Sequence, residues 1–313
     1  GWKKFAHFVI NYRHYCLIGM TIAVIALATG IRLNTLDDEY VKYFDPSVEF
    51  RRDTDYTSDH LTGIYRIDYS LEKNNGDRIS DPDFLQRVDA FVQWYRQQPE
   101  VTHVFAVTDI FKRLNQNMHS DDPAWYRLPE TAEMSAQFLL LYEMSLPYGL
   151  DLNDRINVNK SATRVSVTLH SISSQQVLDL EARAQAWLKV NAPNFARHEG
   201  TGITLLFAHI GQRNIASMIN GLLLAAVIIA LTLIAVLRSA TLGLLSLVPN
   251  VIPSIMVFGV WGMLVGQIGM ASSVVVAMTL GILVDDTVHF LTQYQYARNQ
   301  KGLLPEAAVE YAF

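Results

Sequence analysis

Between Arg238 and Asp285 the chain carries no Asp, Glu, Lys or Arg for 46 consecutive positions. No other feature limits the fold so strongly. Two shorter runs, 14–31 and 214–237, are also free of charge. A hydrocarbon core of roughly 30 Å takes about 20 helical residues. The first run, YCLIGMTIAVIALATGI, is long enough for one span, and NIASMINGLLLAAVIIALTLIAVL for another. The longest run needs two spans and a turn, with Gly266-Gln267-Ile268-Gly269 as the natural break. Four spans are expected, near 14–32, 214–237, 240–265 and 270–297.

The average composition hides a partition. Residues 33–213 hold 44 of the 55 Asp, Glu, Lys and Arg residues, about a quarter of that segment and ordinary for a soluble domain. The pattern implies a membrane protein with a soluble insert. Its domains are expected at 1–32 (cytoplasmic N-terminus and first span), 33–213 (extracytoplasmic insert) and 214–313 (spans two to four and the start of a cytoplasmic helix). Lys3, Lys4 and Arg13 precede span one, Arg238 separates spans two and three, and Arg298 and Lys301 follow span four. The turn between spans three and four has no cation. Positive-inside bias therefore places both termini in the cytoplasm and the insert outside, with Arg32 a mild exception. The alternative at the N-terminus is a signal peptide cleaved near Ala26-Leu27-Ala28, which would move the terminus outside. The single cysteine, Cys16, lies in span one, so no disulfide holds the insert. The chain lacks an initiator Met and stops within what reads as a starting helix (304–309), as a fragment of a longer protein would.

Within the insert, Tyr65, Ile67, Tyr69 and Leu71 alternate with polar residues as in a half-buried strand. Asp81-Pro82 caps a helix whose Phe84, Leu85, Val88, Phe91, Val92 and Tyr95 share one face. VTHVFAV (101–107) reads as the next strand. The unit recurs with a strand around Val165, Val167 and Leu169, a helix over 174–190, and GITLLFAHI (202–210) as a closing strand. A further helix is expected over 130–146. Two βαβ-type units imply an α+β domain of two small ferredoxin-like subdomains. Its histidines (60, 103, 119, 170, 198) lack the paired spacing of a metal site, and no phosphate loop, Cys cluster or nucleophile elbow is present. No enzymatic activity, catalytic residue, metal or cofactor is expected. With 18 basic against 26 acidic residues the insert has a net charge of −8, which argues against nucleic acid as a partner.

The long charge-free stretch ends in GILVDDTVHF. If span four runs 270–297, Asp285 is its sixteenth residue and sits near the bilayer midplane. One such aspartate costs about 2.5–3.5 kcal/mol on insertion scales. Two in succession are expensive unless they face a polar interior and are at least partly protonated, so Asp285 and Asp286 are expected to titrate as a pair, poised to bind and release protons. Ser272, Thr279, Asp286 and Gln293 repeat every seven residues along one face, and Asp285, His289, Thr292 and Tyr296 form an adjacent stripe. Thr279, His289 and Gln293 are the expected supporting groups. Thr287 falls outside both stripes and is expected to tolerate Val. The competing assignment ends span four at Val284 with the turn at 260–263, leaving the aspartates in the cytoplasmic interface.

LVDDTVHF resembles the fourth-span motif of the resistance–nodulation–division (RND) exporters, and the GVDDTIHF form of their MMPL, Patched-like and hopanoid-exporter relatives. RSATLGLLSLVPNVIPSIMVFGVWGML (238–264) looks like that family's third span, including Pro249-Asn250 and Pro253, and Tyr43-Phe44-Asp45-Pro46 is similar too. The resemblance covers the membrane segments well and the insert only by arrangement. It implies a polytopic α-helical membrane protein with a porter-type α+β domain, one of two homologous halves of six spans each. It further implies proton antiport through Asp285 and Asp286 and export of a hydrophobic or lipid-like substrate. The remaining partners would be the second half of the same transporter and further copies in a homodimer or trimer, in a bacterial cytoplasmic membrane. Leu283 stands where the lipid-exporting branch often has Gly, so drug efflux stays open. A sterol-sensing or Patched-like receptor, or an export auxiliary factor like SecD and SecF, is the alternative.

Overall fold

A computed structural model of the chain describes residues 2–36, 40–74, 76, 78–147 and 151–313. In chain order the elements are α1 (Trp2–Asn11), α2 (Arg13–Gly30), β1 (Thr35–Leu36), α3 (Glu49–His60), β2 (Tyr65–Glu72), α4 (Pro82–Arg96) and β3 (Val101–Phe105). There follow α5 (Val107–Met118), α6 (Ala132–Ser145), β4 (Ala162–Leu169), α7 (Ser174–Asn191), α8 (Ile203–Leu237) and α9 (Ala240–Leu245). The last are α10 (Leu247–Leu264), β5 (Gln267–Ile268), α11 (Met270–Asn299) and α12 (Pro305–Ala312). They separate into a helical unit, Gly1–Asp38 with Gly211–Phe313, and an α+β unit, Glu39–Ile210.

The α+β unit is built on one antiparallel sheet in the order β2-β4-β3. Tyr65 pairs with Leu169 and Glu72 with Ala162, so the apolar positions of β2 and β4 fall on one face. Segment 195–201 lies along the free edge of β2. Asp68 and Thr201 exchange backbone hydrogen bonds of 2.9 and 2.8 Å, and Ala196 N–H donates to Glu72 O at 2.7 Å. The arrangement is a single split βαβ motif with a weak fourth edge, so the expected pair of subdomains is corrected to one. The reason is that β4 lies between β2 and β3 and uses both of its edges. Neither βαβ stretch keeps a sheet to itself.

The core follows the sequence pattern closely. The six residues expected on the inner face of α4 are all buried, packed with Ile67, Tyr69, Leu71, Val165, Val167 and Leu169 and the α7 residues Val177, Leu180, Ala184 and Leu188. The Tyr69 and Tyr95 hydroxyls meet at 2.6 Å inside this core, and burial pushes both phenols upward from their ordinary value. A full capping box starts α7, with Ser173 and Gln176 exchanging backbone bonds. One expected strand is wrong. Residues 203–210 of that stretch begin the 35-residue helix α8, with Leu205 and Ala208 buried three apart and Ile203, Leu206 and Phe207 exposed. A short, uniformly apolar run does not distinguish strand from helix by period.

Among the described residues, three helical segments are long and apolar enough to cross a membrane: Arg13–Leu33, Ile203–Leu237 and Ala240–Leu264. The tightest contact joins α2 to α10. A Cβ built on Gly259 would lie 2.1 Å from the Leu27 carbonyl oxygen, and one on Gly262 would lie 2.0 Å from that of Gly30. Only glycine permits such a backbone approach, the small-residue contact by which helices pack in lipid. The same pair is tied at its end. Asn34 donates to Phe258 O at 2.8 Å, Thr35 N–H donates to Gly266 O at 2.9 Å, and β1 pairs in parallel with β5.

Candidate functional site

The site is a corner formed by α9, α10 and α11. Ser239 caps α9, accepting a hydrogen bond from Leu242 N–H. The helix stops at Ser246, whose buried hydroxyl donates to Gly243 O at 2.6 Å. Pro249 sits in the first turn of α10, where a missing N–H costs little. Pro253 lies inside that helix. Its ring removes the bond to the Pro249 carbonyl and weakens the backbone at that level. The break between α10 and α11 falls at Gly266, where φ is +76°, and α10 continues through 260–263. The helix break thus lies at Gly266 and not at 260–263.

Helix α11 runs without interruption past both aspartates to Asn299. Asp286 and Thr287 line a cavity of about 380 Å³ together with Leu245, Ser246, Val248, Pro249, Phe290 and Leu291. The walls are apolar apart from the Asp286 carboxylate and two hydroxyls. Asp285, Asp286 and His289 are all exposed within this chain, as is Thr279, while Gln293 is half-buried. Among the described residues, the side chains of Asp285, Asp286 and His289 form no hydrogen bond or ion pair. Thr279 and Thr292 return their hydroxyls to the carbonyls of Val275 and Val288 at 2.8 and 2.7 Å, and Tyr296 stacks on Tyr311. The side chain of Ser272 lies outside the described residues. The structure therefore places Asp286 at the rim of the α9–α10 corner, while Asp285 and His289 do not line it.

Thr287 is engaged, contrary to its expected idleness. Its hydroxyl lies 2.8 Å from Asn250 Oδ1 on α10 and 2.9 Å from Leu283 O. Asn250 is 2% exposed, and among the described residues its Nδ2 has no hydrogen-bond partner. No role for Asn250 followed from the sequence. Its signal was present all the same: it is the single Asn in the 46-residue charge-free run, and a carboxamide in such a helix has to be satisfied internally.

At one end of the helical unit the cations gather. Arg13 pairs with Glu306 at 3.1 Å, Lys301 lies over the Tyr311 ring at 4.0 Å, and Gln295 donates to the last carbonyls of α8 at Leu237 O, 2.6 Å away. Among the described residues, no three His, Cys, Asp or Glu side chains converge as a metal site requires.

No protein-family model matches the sequence, and no curated protein matches it. In structure, the chain is similar to the hedgehog release protein Disp of the water bear Hypsibius dujardini. The TM-score is 0.52 and the sequence identity 14%, over 98% of this chain and 42% of that one. At that identity the likeness is one of fold, and the chain spans less than half the length of that protein. Together with the three apolar helical segments it defines a multi-pass helical membrane protein.

Proposed function

We propose that the chain belongs to an RND-type transporter that exports a hydrophobic or lipid-like substrate at the expense of the proton gradient, with Asp285 and Asp286 as the proton relay. One observation carries the reading most. Helix α11 continues unbroken for thirteen residues beyond Asp286, which places two carboxylates without partners in its interior. Charge at that depth costs several kcal/mol unless it is neutralised or paired. The cost makes protonation sensitive to how α11 packs. Support comes from the LVDDTVHF resemblance and from the fold likeness to a release protein. On this reading α11 is the fourth span, the cationic end faces the cytoplasm, and the α+β unit is a porter-type domain outside. One proton moving down 100 mV supplies about 2.3 kcal/mol for repacking α11 against its partner. The unpaired Asp285 and His289 face the groups that a second half supplies.

The test uses the full-length protein in everted vesicles. Export of a fluorescent lipid, NBD-phosphatidylethanolamine, and of the neutral dye Nile red is followed with and without a proton gradient. Asp285→Asn and Asp286→Asn, which keep volume but cannot titrate, each abolish the gradient-dependent component while membrane levels stay normal. Transport by both variants at the wild-type rate refutes the relay. Reporter fusions at Gly302 read inside and at Gly76 outside; a reversed pattern refutes the orientation. The fold likeness also favours a second reading, a Patched-like release protein. It is distinguished by a cargo that neither probe represents, in which case Asp→Asn still abolishes proton uptake.

A further inference from the structure

The cavity beside Asp286 touches a second element that the relay reading does not use. α9 and α10 carry no charged residue from Ser239 to Leu264, so the polar contact between α10 and α11 is made by neutral groups. Among the described residues, the Thr287–Asn250 bond is the hydrogen bond that joins these two helices. It lies one residue from Asp286. A buried carboxamide normally satisfies its amide hydrogens, because leaving a buried donor unmatched costs about 1–3 kcal/mol. Here Asn250 Nδ2 is enclosed and unmatched. Such orphaned groups mark a missing partner or a functional strain. The carboxylate of Asp286 lines the cavity beside Thr287 and is an acceptor that a spare N–H on this corner could use.

Resting on the relay reading, we propose that Asn250 is a positioning residue for Asp286. Through Thr287 it sets the rotation of α11 at the cavity, and its unmatched amide becomes a donor to Asp286 once that carboxylate is ionised. The arrangement has two states. In one, Asp286 is protonated, Asn250 Oδ1 holds the Thr287 hydroxyl and Nδ2 is idle. With Asp286 charged, a small rotation of α11 brings the carboxylate to Nδ2 and satisfies both. The weakened backbone at Pro249 and Pro253 is placed to absorb that rotation. Other titratable groups nearby are few. α11 itself supplies Asp285 and His289. α12, which packs on α11, brings Glu306, Glu310 and Tyr311, and Glu306 is paired with Arg13 while Tyr311 stacks on Tyr296.

The experiment is an infrared pH titration of the full-length protein reconstituted in lipid. The carboxylic C=O band that disappears in Asp286→Asn reports Asp286 without any substrate. Asn250→Ala removes a donor to the charged form, so the midpoint of that band moves up by about one pH unit. Thr287→Val produces a shift of the same sign, Thr287→Ser restores the wild-type midpoint, and the Asn250→Ala/Thr287→Val double variant shifts no further than the larger single change, as coupled residues do. An unchanged midpoint in folded Asn250→Ala overturns the proposal. Should Asn250→Ala fail to fold, Thr287→Val with a wild-type midpoint overturns it equally. Because the band is read in the absence of transport, this failure is distinct from failure of the relay, which appears as unaltered export in Asp286→Asn.

Discussion

The two units of this chain are packed in different ways. In the α+β unit the large side chains are inside: Phe84, Phe91, Tyr95, Phe111 and Phe195 are 0–1% exposed. In the helical unit the large side chains are outside, with Ile22, Leu223, Leu231 and Leu264 more than 60% exposed. At its helix crossings the helical unit hides small residues, Gly30, Gly243, Gly259 and Gly262 with Ala6, Ala230, Ala297 and Ala308, beside a few larger ones such as Leu233 and Leu237. The difference follows from the solvent. Water expels apolar bulk from its reach, at roughly 25 cal/mol per Å². Lipid does not, so helices in it associate through close backbone approach and dispersion.

That comparison is sharpest at Gly259. Gly259→Leu puts a side chain into the backbone of α2, which has no flexible end to move aside. The full-length protein is expected to lose its folded, monodisperse form in detergent altogether; recovery of normal yield and thermal midpoint breaks the claim that α2 and α10 pack backbone to backbone. In the α+β unit the mirror experiment is Phe91→Ala, a large-to-small change in a core that includes Tyr69, Tyr95, Trp94 and Trp187 around the ring. Expressed as residues 39–210, the unit is expected to fold alone, with mixed α/β circular dichroism. Phe91→Ala then costs about 3–5 kcal/mol in urea unfolding, and a cost under about 1 kcal/mol would show that this unit lacks a core of its own.

A smaller effect belongs to the outward face of the sheet. Burial alone would raise the Asp68 carboxyl, but hydrogen bonds from Arg164, Ser166 and Arg66 outweigh it and hold the group below its ordinary range. A carboxylate with a depressed folded value stabilises above its unfolded pKa, about 3.9, and loses that contribution as pH falls through the folded value. Asp68→Asn is therefore expected to destabilise the unit by about 1 kcal/mol at pH 7, with the gap to wild type closing below about pH 4. A gap that stays constant down to pH 2 removes the ionic explanation. The smallest expected effect is Leu231→Ala in α8. Its side chain is 61% exposed and lipid-facing on the membrane reading, so the detergent thermal midpoint stays near wild type; a large drop would mean that α8 buries this face against another element.

Much of this was legible in the residues. Charge-free runs located the apolar helices, because the cost of charge in hydrocarbon leaves a gap in the sequence that needs no tertiary context. The inner face of α4 and the alternation in β2 and β4 were also local, since period 3.6 and period 2 are written into neighbouring positions. The acidic pair announced itself by standing at the end of the longest such gap. Tertiary structure decided what depends on partners distant in the chain. The sheet order placed β4 between β2 and β3 and reduced two subdomains to one. The start of α8 was settled by burial at Leu205 and Ala208, because an apolar run alone fits either geometry. Gly30 came to face Gly259 across more than 200 residues, and Thr287 met Asn250 across 37. Hydrophobic pattern is a property of the chain's immediate neighbourhood, whereas register, helix rotation and the pairing of a buried amide are set only when distant surfaces meet.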